Sequence, residues 1–246
     1  LDVRNPEEYE AGHLAGSVSA PGGQLVQTTD RYVGTLRSRI VLIDDTGVRA
    51  TMTASWLNQM GWPEVVVLEN ALGHVELEKG PHVTPVLGLG DVVADEISPH
   101  ALIQISAGGA NVVDLSDSRN YQRRHIPGAW FALRSRLDKA LTKLPPAPLL
   151  VLTSEDGVLA QFAALEAAAL TSSSIKVLTG GNAAWAAAGL PLDEGLENMA
   201  SEPDDAWLRP YDREAGAADA MRHYLSWEVD LVHQIKRDGT ARWLKH

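Results

Sequence analysis

Runs of consecutive apolar residues are each followed by a polar loop and then by a segment with helical spacing. Residues 40–43 are all apolar, which is typical of a strand covered on both faces. The polar loop 44–49 follows, and residues 51–60 then carry apolar side chains at helical spacing. Backbone N–H groups and the positive end of a helix dipole meet at such a loop, so it is suited to hold an anion or a thiolate. The apolar positions of the predicted helix are Met52, Trp56, Leu57 and Met60.

The chain contains this unit twice. A second apolar run, loop and helical segment follow over residues 149–170, offset by 110 residues from the first, and another apolar strand follows each helix, at 65–68 and at 175–178. A repeat of this length indicates duplicated domains and not a solenoid. Strands that alternate with helices predict an α/β fold, in which each domain has a mostly parallel central sheet flanked by helices. Near the start of each copy, Asp2, Tyr9, His13 and Gly16 recur at an offset of 112 residues as Asp114, Tyr121, His125 and Gly128.

Glycine and proline punctuate the chain between the two copies and suggest a connector. Beyond the second copy, Met221, Leu225, Val232 and Ile235 recur at helical spacing and predict a C-terminal helix. The predicted organisation is a first domain at 1–80, a linker at 81–92, a second domain at 93–200 and a helical extension at 201–246.

The first copy has no counterpart of the helix that Ser98 and Pro99 begin in the second copy. The strand and the helix that open the first domain are therefore expected to lie upstream of Leu1.

Composition and charge exclude several classes of partner and site. The 246 residues carry a net charge of −11 with a pI near 5.1 and no run of Lys or Arg, which argues against nucleic acid and anionic membranes as partners. The chain has no cysteine, so it forms no disulfide and no thiolate metal site. No His/Asp/Glu spacing suggests a metal site, and no cofactor is expected. The sequence has no apolar run long enough to span a membrane and no signal-peptide pattern. A cytoplasmic location is therefore expected.

The residues around the loops resemble the rhodanese-homology superfamily, whose members include thiosulfate sulfurtransferases. The opening signature is carried by the segments Leu1-Asp2-Val3-Arg4, Glu7-Glu8-Tyr9 and Gly12-His13-Leu14, followed by Gly16. The closing segment of the family is matched in the second copy by Gly180-Gly181, Trp185 and Gly189-Leu190-Pro191, and is degenerate in the first. The resemblance implies two rhodanese-like domains.

In a catalytic rhodanese the active-site loop begins with a cysteine that carries a persulfide. Aligned on Gly47 and Arg49, that position holds Asp44 in the first copy and Ser154 in the second. Neither side chain can carry a sulfane sulfur, because only a thiolate both attacks sulfur and leaves from it readily. The resemblance thus marks two vestigial active-site loops without a catalytic residue: Asp44, Asp45, Thr46, Gly47, Val48 and Arg49, and Ser154, Glu155, Asp156, Gly157, Val158 and Leu159.

The expected function is a non-catalytic tandem module of a sulfurtransferase-family protein with a structural or regulatory role. Its expected partners are upstream rhodanese domains of the same chain or a second copy in a homo-oligomer. The alternative is that the residues form part of an active thiosulfate or persulfide sulfurtransferase whose catalytic cysteine lies upstream of Leu1.

Three further interpretations concern particular residues. A strand followed by Asp44-Asp45-Thr46-Gly47 superficially resembles aspartyl-phosphate loops, but those loops need further carboxylates for Mg²⁺ and a downstream lysine, and the first lysine here is Lys79. The repeated His13 and His125 are interpreted as hydrogen-bonding groups that order a turn. In the rhodanese interpretation, the Asp44 carboxylate is predicted to accept the loop's N–H bonds itself and to fill the place of an anion.

Overall fold

The chain folds into two α/β units. In this computed structural model, unit 1 comprises Leu1–Pro85 together with the C-terminal part of the chain from Ala218, and unit 2 comprises Val86–Ala217. The predicted α/β architecture is confirmed. The residues that the structure describes are 1–73, 75–105, 109–213 and 215–239.

Unit 1 is built on two parallel strands, with Val41 of one opposite Val66 of the other. Asp2 forms a parallel bridge to Ile43, directly after the first of these strands, and a short antiparallel pair lies elsewhere in the unit. The elements in chain order are α1 (Pro6–Ala11), β1 (His13–Leu14), α2 (Gly22–Gln27), α3 (Thr29–Tyr32), β2 (Ile40–Leu42), α4 (Val48–Gln59), β3 (Val65–Val67) and β4 (Leu77–Glu78).

Unit 2 contains a five-stranded, fully parallel sheet with strand order β5-β9-β8-β6-β7. Its three central strands are longer than those of unit 1, and their register aligns the ends of β6 and β8. The elements are β5 (Glu96–Ile97), α5 (Pro99–Leu102), β6 (Ala110–Asp114), α6 (Ser118–Arg123), β7 (Trp130–Phe131), α7 (Leu137–Leu141), β8 (Leu149–Thr153), α8 (Val158–Ala167), β9 (Ser174–Leu178) and α9 (Gly181–Ala187).

The described parts of the two units differ in how their sheets are covered. In unit 2, alternate residues of β8 enter different hydrophobic clusters: Leu150 and Leu152 enter one and Val151 the other, so apolar side chains cover both faces of the sheet. In unit 1, Ile40 and Leu42 of β2 enter the single described cluster, while Val41 between them is exposed. The second face of the unit 1 sheet therefore lacks a comparable core.

Helix α4 packs on the sheet through small residues and one leucine. Its buried residues Ala50, Thr53, Ala54 and Leu57 follow the helical repeat, and they let the helix axis lie close to the strands. Met52 and Trp56, two of the apolar residues at helical spacing, are exposed. The small side chains and Leu57, and not these two large ones, are buried.

The predicted C-terminal helix is present as α10 (Ala217–Asp238), and residues 240–246 of the predicted extension lie outside the described residues. None of the residues of α10 is buried, and apolar side chains such as Leu225, Val229 and Val232 are exposed. Within the described part of the chain, every helix is too short or too polar to cross a membrane.

The packing of α4 gives a first prediction. Leu57→Ala is expected to lower the free energy of unfolding by about 2–5 kcal/mol, because it leaves a cavity where Leu57 is fully buried. Met52→Ala on the same helix is the matched control, and since 58% of Met52 is exposed its effect should stay within about 0.5 kcal/mol. Urea denaturation followed by tryptophan fluorescence measures both. Equal losses in the two variants would show that the assignment of the packing face is wrong.

Candidate functional site

The first loop runs from the end of β2 to the start of α4. Gly47 caps the helix with φ of +78°, a left-handed conformation that suits glycine, and a Cβ at this position would meet no atom within 4 Å. The turn thus directs the first backbone N–H groups of α4 back toward the end of the strand. Asp44, the first loop residue, lies where these groups converge.

The Asp44 carboxylate is buried and accepts three backbone hydrogen bonds. Its Oδ1 accepts the N–H of Gly47, and its Oδ2 accepts the N–H of Arg49 at 2.8 Å and that of Ala50 at 3.2 Å. Helical carbonyls cannot pair the first amides of a helix, so the carboxylate replaces them. The prediction that Asp44 accepts the loop's N–H bonds is confirmed by this geometry.

Arg49 turns its guanidinium toward acidic side chains. It donates to both carboxylate oxygens of Glu8 in α1, at 2.6 and 3.0 Å, and to Asp45 at 2.8 Å. These bonds raise the pKa of Arg49, lower the pKa of Asp45 and lower the pKa of Glu8 to about 2. The one cation of this loop is therefore already engaged by two carboxylates. Of the remaining loop residues, Thr46 accepts the N–H of Val48 at 3.5 Å, and the Val48 side chain is exposed.

The second loop runs from β8 to α8 and is held more weakly by its first residue. Ser154 is buried, and its hydroxyl oxygen accepts one bond, from the N–H of Ala160 at 3.3 Å. Asp156 accepts the N–H of Val158 at 2.9 Å. The position that holds the arginine in the first loop is occupied by Leu159, which has an apolar side chain. The Glu155 carboxylate accepts a bond from Arg124 at 3.4 Å.

Helix α9 closes over the second loop. The N–H of Asn182 donates to the carbonyl of Ser154, and the N–H of Ala183 donates to that of Glu155, both at 2.9 Å. A Cβ on Gly181 would lie 2.1 Å from the Ser154 carbonyl oxygen, so only glycine fits there. Gly157 is confined in the same way, because its Cβ would lie 3.1 Å from the nitrogen of Gly181. This loop is thus fixed by close backbone packing.

The repeated aspartates beside the loops are buried and differently paired. Asp2 forms an ion pair with Arg4 at 2.7 Å, and the same guanidinium donates to the carbonyl of Gly12. Asp114 instead accepts the side-chain N–H of Asn182 at 2.8 Å and the backbone N–H of Ser116. Burial raises the pKa of Asp114. Both aspartates serve as hydrogen-bond acceptors that hold the chain in place.

The repeated histidines have the turn-ordering geometry that the sequence predicted. His13 stacks on Tyr9 with ring centroids 3.8 Å apart, and its Nδ1 lies 2.9 Å from the Tyr9 carbonyl oxygen. His125 repeats the arrangement on Tyr121 at 4.0 Å and 2.8 Å. Each tyrosine hydroxyl in turn donates to backbone carbonyls of the following turn. These contacts leave the two histidines in structural roles.

Sequence reasoning missed two residues of these sites, Glu8 and Asn182. Glu8 belongs to the opening signature, but its partner Arg49 lies 41 residues away, so no local pattern indicates the pair. Asn182 follows Gly181 in the closing segment, and its amide joins Asp114, Ser116 and Thr153. Among the described residues, no group of three or more His, Asp or Glu side chains could hold a metal ion.

The backbone N–H groups that Asp44 accepts in the first loop predict that loss of its side chain destabilises the fold more than loss of the Ser154 hydroxyl. Asp44→Ala should lower the free energy of unfolding by roughly 1–3 kcal/mol, because it leaves three N–H groups without their acceptor. Ser154→Ala is the matched control in the second loop, and since it removes one long bond, its cost should be at most about 1 kcal/mol. Chemical denaturation of both variants in low-salt buffer measures this. A larger loss in Ser154→Ala would contradict the assignment.

The Glu8–Arg49 pair predicts a pH dependence. The pKa of Glu8 in the folded chain, about 2, lies below its unfolded value of 4.5, so the pair stabilises the fold above pH 4.5 and this contribution is lost as pH falls toward 2. Glu8→Gln should therefore flatten the decline of stability between pH 4.5 and 2 while it changes the slope above pH 5 little. Thermal unfolding at a series of pH values tests this. Identical slopes for the two proteins in the acid window would show that the ion pair contributes nothing.

Both units resemble known proteins. The family model of the rhodanese-like domain matches residues 1–74, in unit 1, and 98–188, in unit 2. The crystal structure of thiosulfate sulfurtransferase from Pseudomonas aeruginosa is similar, with a TM-score of 0.89 and 46% identity over 99% of this chain. This chain covers 46% of that protein, so it spans less than half of its length.

Smaller solved structures are also similar. A rhodanese-related protein from Thermoplasma volcanium matches with 18% identity and a TM-score of 0.37, over 42% of this chain and 99% of its own. The rhodanese-like domain of the Alr3790 protein from Anabaena sp. matches with 22% identity and a TM-score of 0.36, over 47% of this chain and 92% of its own.

No curated protein sequence matches the chain. Because the family model covers more than half of the sequence, the resemblance drawn from the two loops is confirmed, and the chain belongs to the rhodanese-like domain family.

Proposed function

We propose that the two rhodanese-like domains of this chain are catalytically inactive and act as a structural or regulatory module of a sulfurtransferase-family protein. The observation that carries the proposal is the Asp44 carboxylate, which accepts three backbone N–H bonds at the start of α4. In the proposed alignment, Asp44 stands where a catalytic rhodanese has its persulfide-bearing cysteine. The donors that would hold a transferred sulfur atom are thus already paired.

The chemistry of the available side chains supports the same proposal. Sulfur transfer requires a group that attacks a sulfane sulfur, carries it and then leaves, and a thiolate does this because sulfur–sulfur exchange is its own reaction. The sequence has no cysteine at any position. A carboxylate does not carry a sulfane sulfur, and the Ser154 hydroxyl, whose oxygen accepts the Ala160 N–H, has no base among its hydrogen-bond partners.

The second loop is also a poor site for an anionic donor. Glu155 and Asp156 place two carboxylates beside Ser154, and the nearby Arg124 is bound to Glu155. In the first loop, the guanidinium of Arg49 is already paired with Glu8 and Asp45. We therefore assign neither loop a role in binding thiosulfate.

The proposal concerns these two domains and not the whole of a longer protein. The similar Pseudomonas structure is named a thiosulfate sulfurtransferase, and this chain covers less than half of it. An active enzyme would require a cysteine-bearing loop outside these 246 residues, with the two domains as its non-catalytic part. We place the module in the cytoplasm as part of the same proposal.

An activity assay tests the proposal. The purified 246-residue chain is expected to form no thiocyanate from thiosulfate and cyanide above a protein-free control, while an active rhodanese in the same buffer does. The measurement is colorimetric detection of thiocyanate over a range of protein concentrations. Turnover that rises with protein concentration, and that Asp44→Ala abolishes, would overturn the proposal.

Restoring the thiol tests the proposed alignment separately. Asp44→Cys should take up one sulfur atom from thiosulfate or a small persulfide more completely than Ser154→Cys, because three backbone donors surround position 44 and one, at 3.3 Å, serves position 154. Intact-protein mass spectrometry before and after reduction measures the loading. Equal loading of both variants, or loading of Ser154→Cys alone, would show that the alignment of the two loops is wrong.

A further inference from the structure

Unit 1 contains a cavity of about 680 Å³ to which the first loop contributes no residue. A volume of this size falls in the range of sites that bind small molecules. The lining comes from α2, α3 and the loop that follows them, from the turn after α4, and from the C-terminal part of α10. The apolar side chains of the lining include Val26, Val33, Leu36, Met60, Trp62 and Ile235.

The turn after α4 holds Trp62 against the end of that helix. The N–H of Gly61 donates to the carbonyl of Asn58 at 3.0 Å, and the N–H of Trp62 donates to the carbonyl of Leu57 at 3.1 Å. These two bonds form a Schellman motif, and Gly61 has the left-handed φ, +91°, that this motif requires. Trp62 packs against the hydrophobic cluster of unit 1 and stays partly exposed. An aromatic surface is thus fixed at the cavity.

Two opposite charges line the same cavity without pairing. Asp30 in α3 and Arg37 in the following loop both belong to the lining, and neither side chain forms a hydrogen bond or an ion pair with a residue that the structure describes. Arg37 has φ of +65°, a left-handed conformation that is uncommon for residues other than glycine. The Thr29 hydroxyl, also in the lining, already donates to the carbonyl of Leu25 at 2.8 Å. The cavity therefore offers a ligand one carboxylate and one guanidinium.

The corresponding part of unit 2 has a different chemistry. At the offset of 110 residues that relates the two copies, Trp62 corresponds to Ser172 and Pro63 to Ser173. The Ser173 hydroxyl donates to the carbonyl of Ala147 at 2.8 Å, so a polar contact takes the place of the apolar lining. The aromatic lining is therefore a feature of unit 1 and not of the repeated fold.

We propose that this cavity binds a small zwitterion with a large apolar side chain, the chemistry that a free aromatic amino acid presents. Arg37 donates to the carboxylate of the ligand, because a guanidinium forms paired, charge-assisted hydrogen bonds with that group. Asp30 accepts from the ammonium group, and the apolar side chain packs against Trp62. A ligand with a single charge would satisfy only one of the two charged residues. The site goes beyond the inactive loops and does not depend on them, since no loop residue lines the cavity.

A series of three compounds tests the zwitterion assignment by isothermal titration calorimetry on the 246-residue chain. L-tryptophan is the probe, tryptamine lacks its carboxylate, and indole-3-propionate lacks its ammonium group. Both analogues should bind roughly 3- to 10-fold more weakly than L-tryptophan, because each loses one charge-assisted bond to a partly exposed group. No binding of L-tryptophan at millimolar concentration, or an analogue that binds as tightly, would overturn the proposal.

Substitutions assign the two charges to their partners. Asp30→Asn and Arg37→Gln should each weaken L-tryptophan binding by the same roughly 3- to 10-fold, and Arg37→Gln should also remove the advantage of L-tryptophan over tryptamine. Arg31→Gln is the matched control, since Arg31 is exposed on α3 and does not line the cavity. Thermal unfolding checks that each variant is folded. An equal loss of affinity in Arg31→Gln would show that the net charge, and not the cavity, attracts the ligand.

A variant of the segment 240–246 tests the other occupant that the chain offers. These residues lie outside the described part of the chain, follow the cavity-lining Gly239 and include Trp243. Trp243→Ala should leave the affinity for L-tryptophan unchanged. Binding that is found only in Trp243→Ala would identify the chain's own segment as the occupant and overturn the assignment to a free ligand.

Discussion

The first backbone amides of a helix have no carbonyl acceptor within that helix, and the loops of both units depend on how this requirement is met. In unit 1 a charged side chain meets it: Asp44 accepts three N–H groups at the start of α4. In unit 2 Ser154 contributes a single bond, and the N-terminus of α9 fixes the loop through its carbonyl oxygens. One loop is therefore held by charge and the other by close packing, although both belong to rhodanese-like domains.

The same divergence extends to the buried aspartates beside the loops. Arg4 neutralises Asp2 within four residues of chain, whereas Asp114 depends on Asn182, which lies 68 residues away. Because Asp2 pairs with the nearby Arg4, this contact in unit 1 does not depend on the degenerate closing segment. Unit 2 needs its closing segment, since α9 supplies both Asn182 and the amides that hold the second loop. The retained Gly180-Gly181 pair and the loss of its counterpart in unit 1 follow from this difference.

Much of the fold could be predicted from local pattern. The apolar runs at 40–43 and 149–152 became parallel strands, and the loop glycines became left-handed caps, because these features depend on neighbouring residues alone. The exposure of Met52 and Trp56 could not be predicted, since it depends on which side of α4 meets the sheet. The engagement of Arg49 by Glu8 was missed for the same reason: the partner comes from a distant element.

The carboxylate at Asp44 also gives the first loop an acceptor that does not come from the solution. A loop whose donors are filled by a dissolved anion is stabilised in proportion to the logarithm of that anion's concentration, and it loosens when the anion is scarce. Here the acceptor is covalently part of the chain and is never diluted. These three N–H groups thus keep their acceptor whatever the supply of sulfur compounds or phosphate in the surroundings.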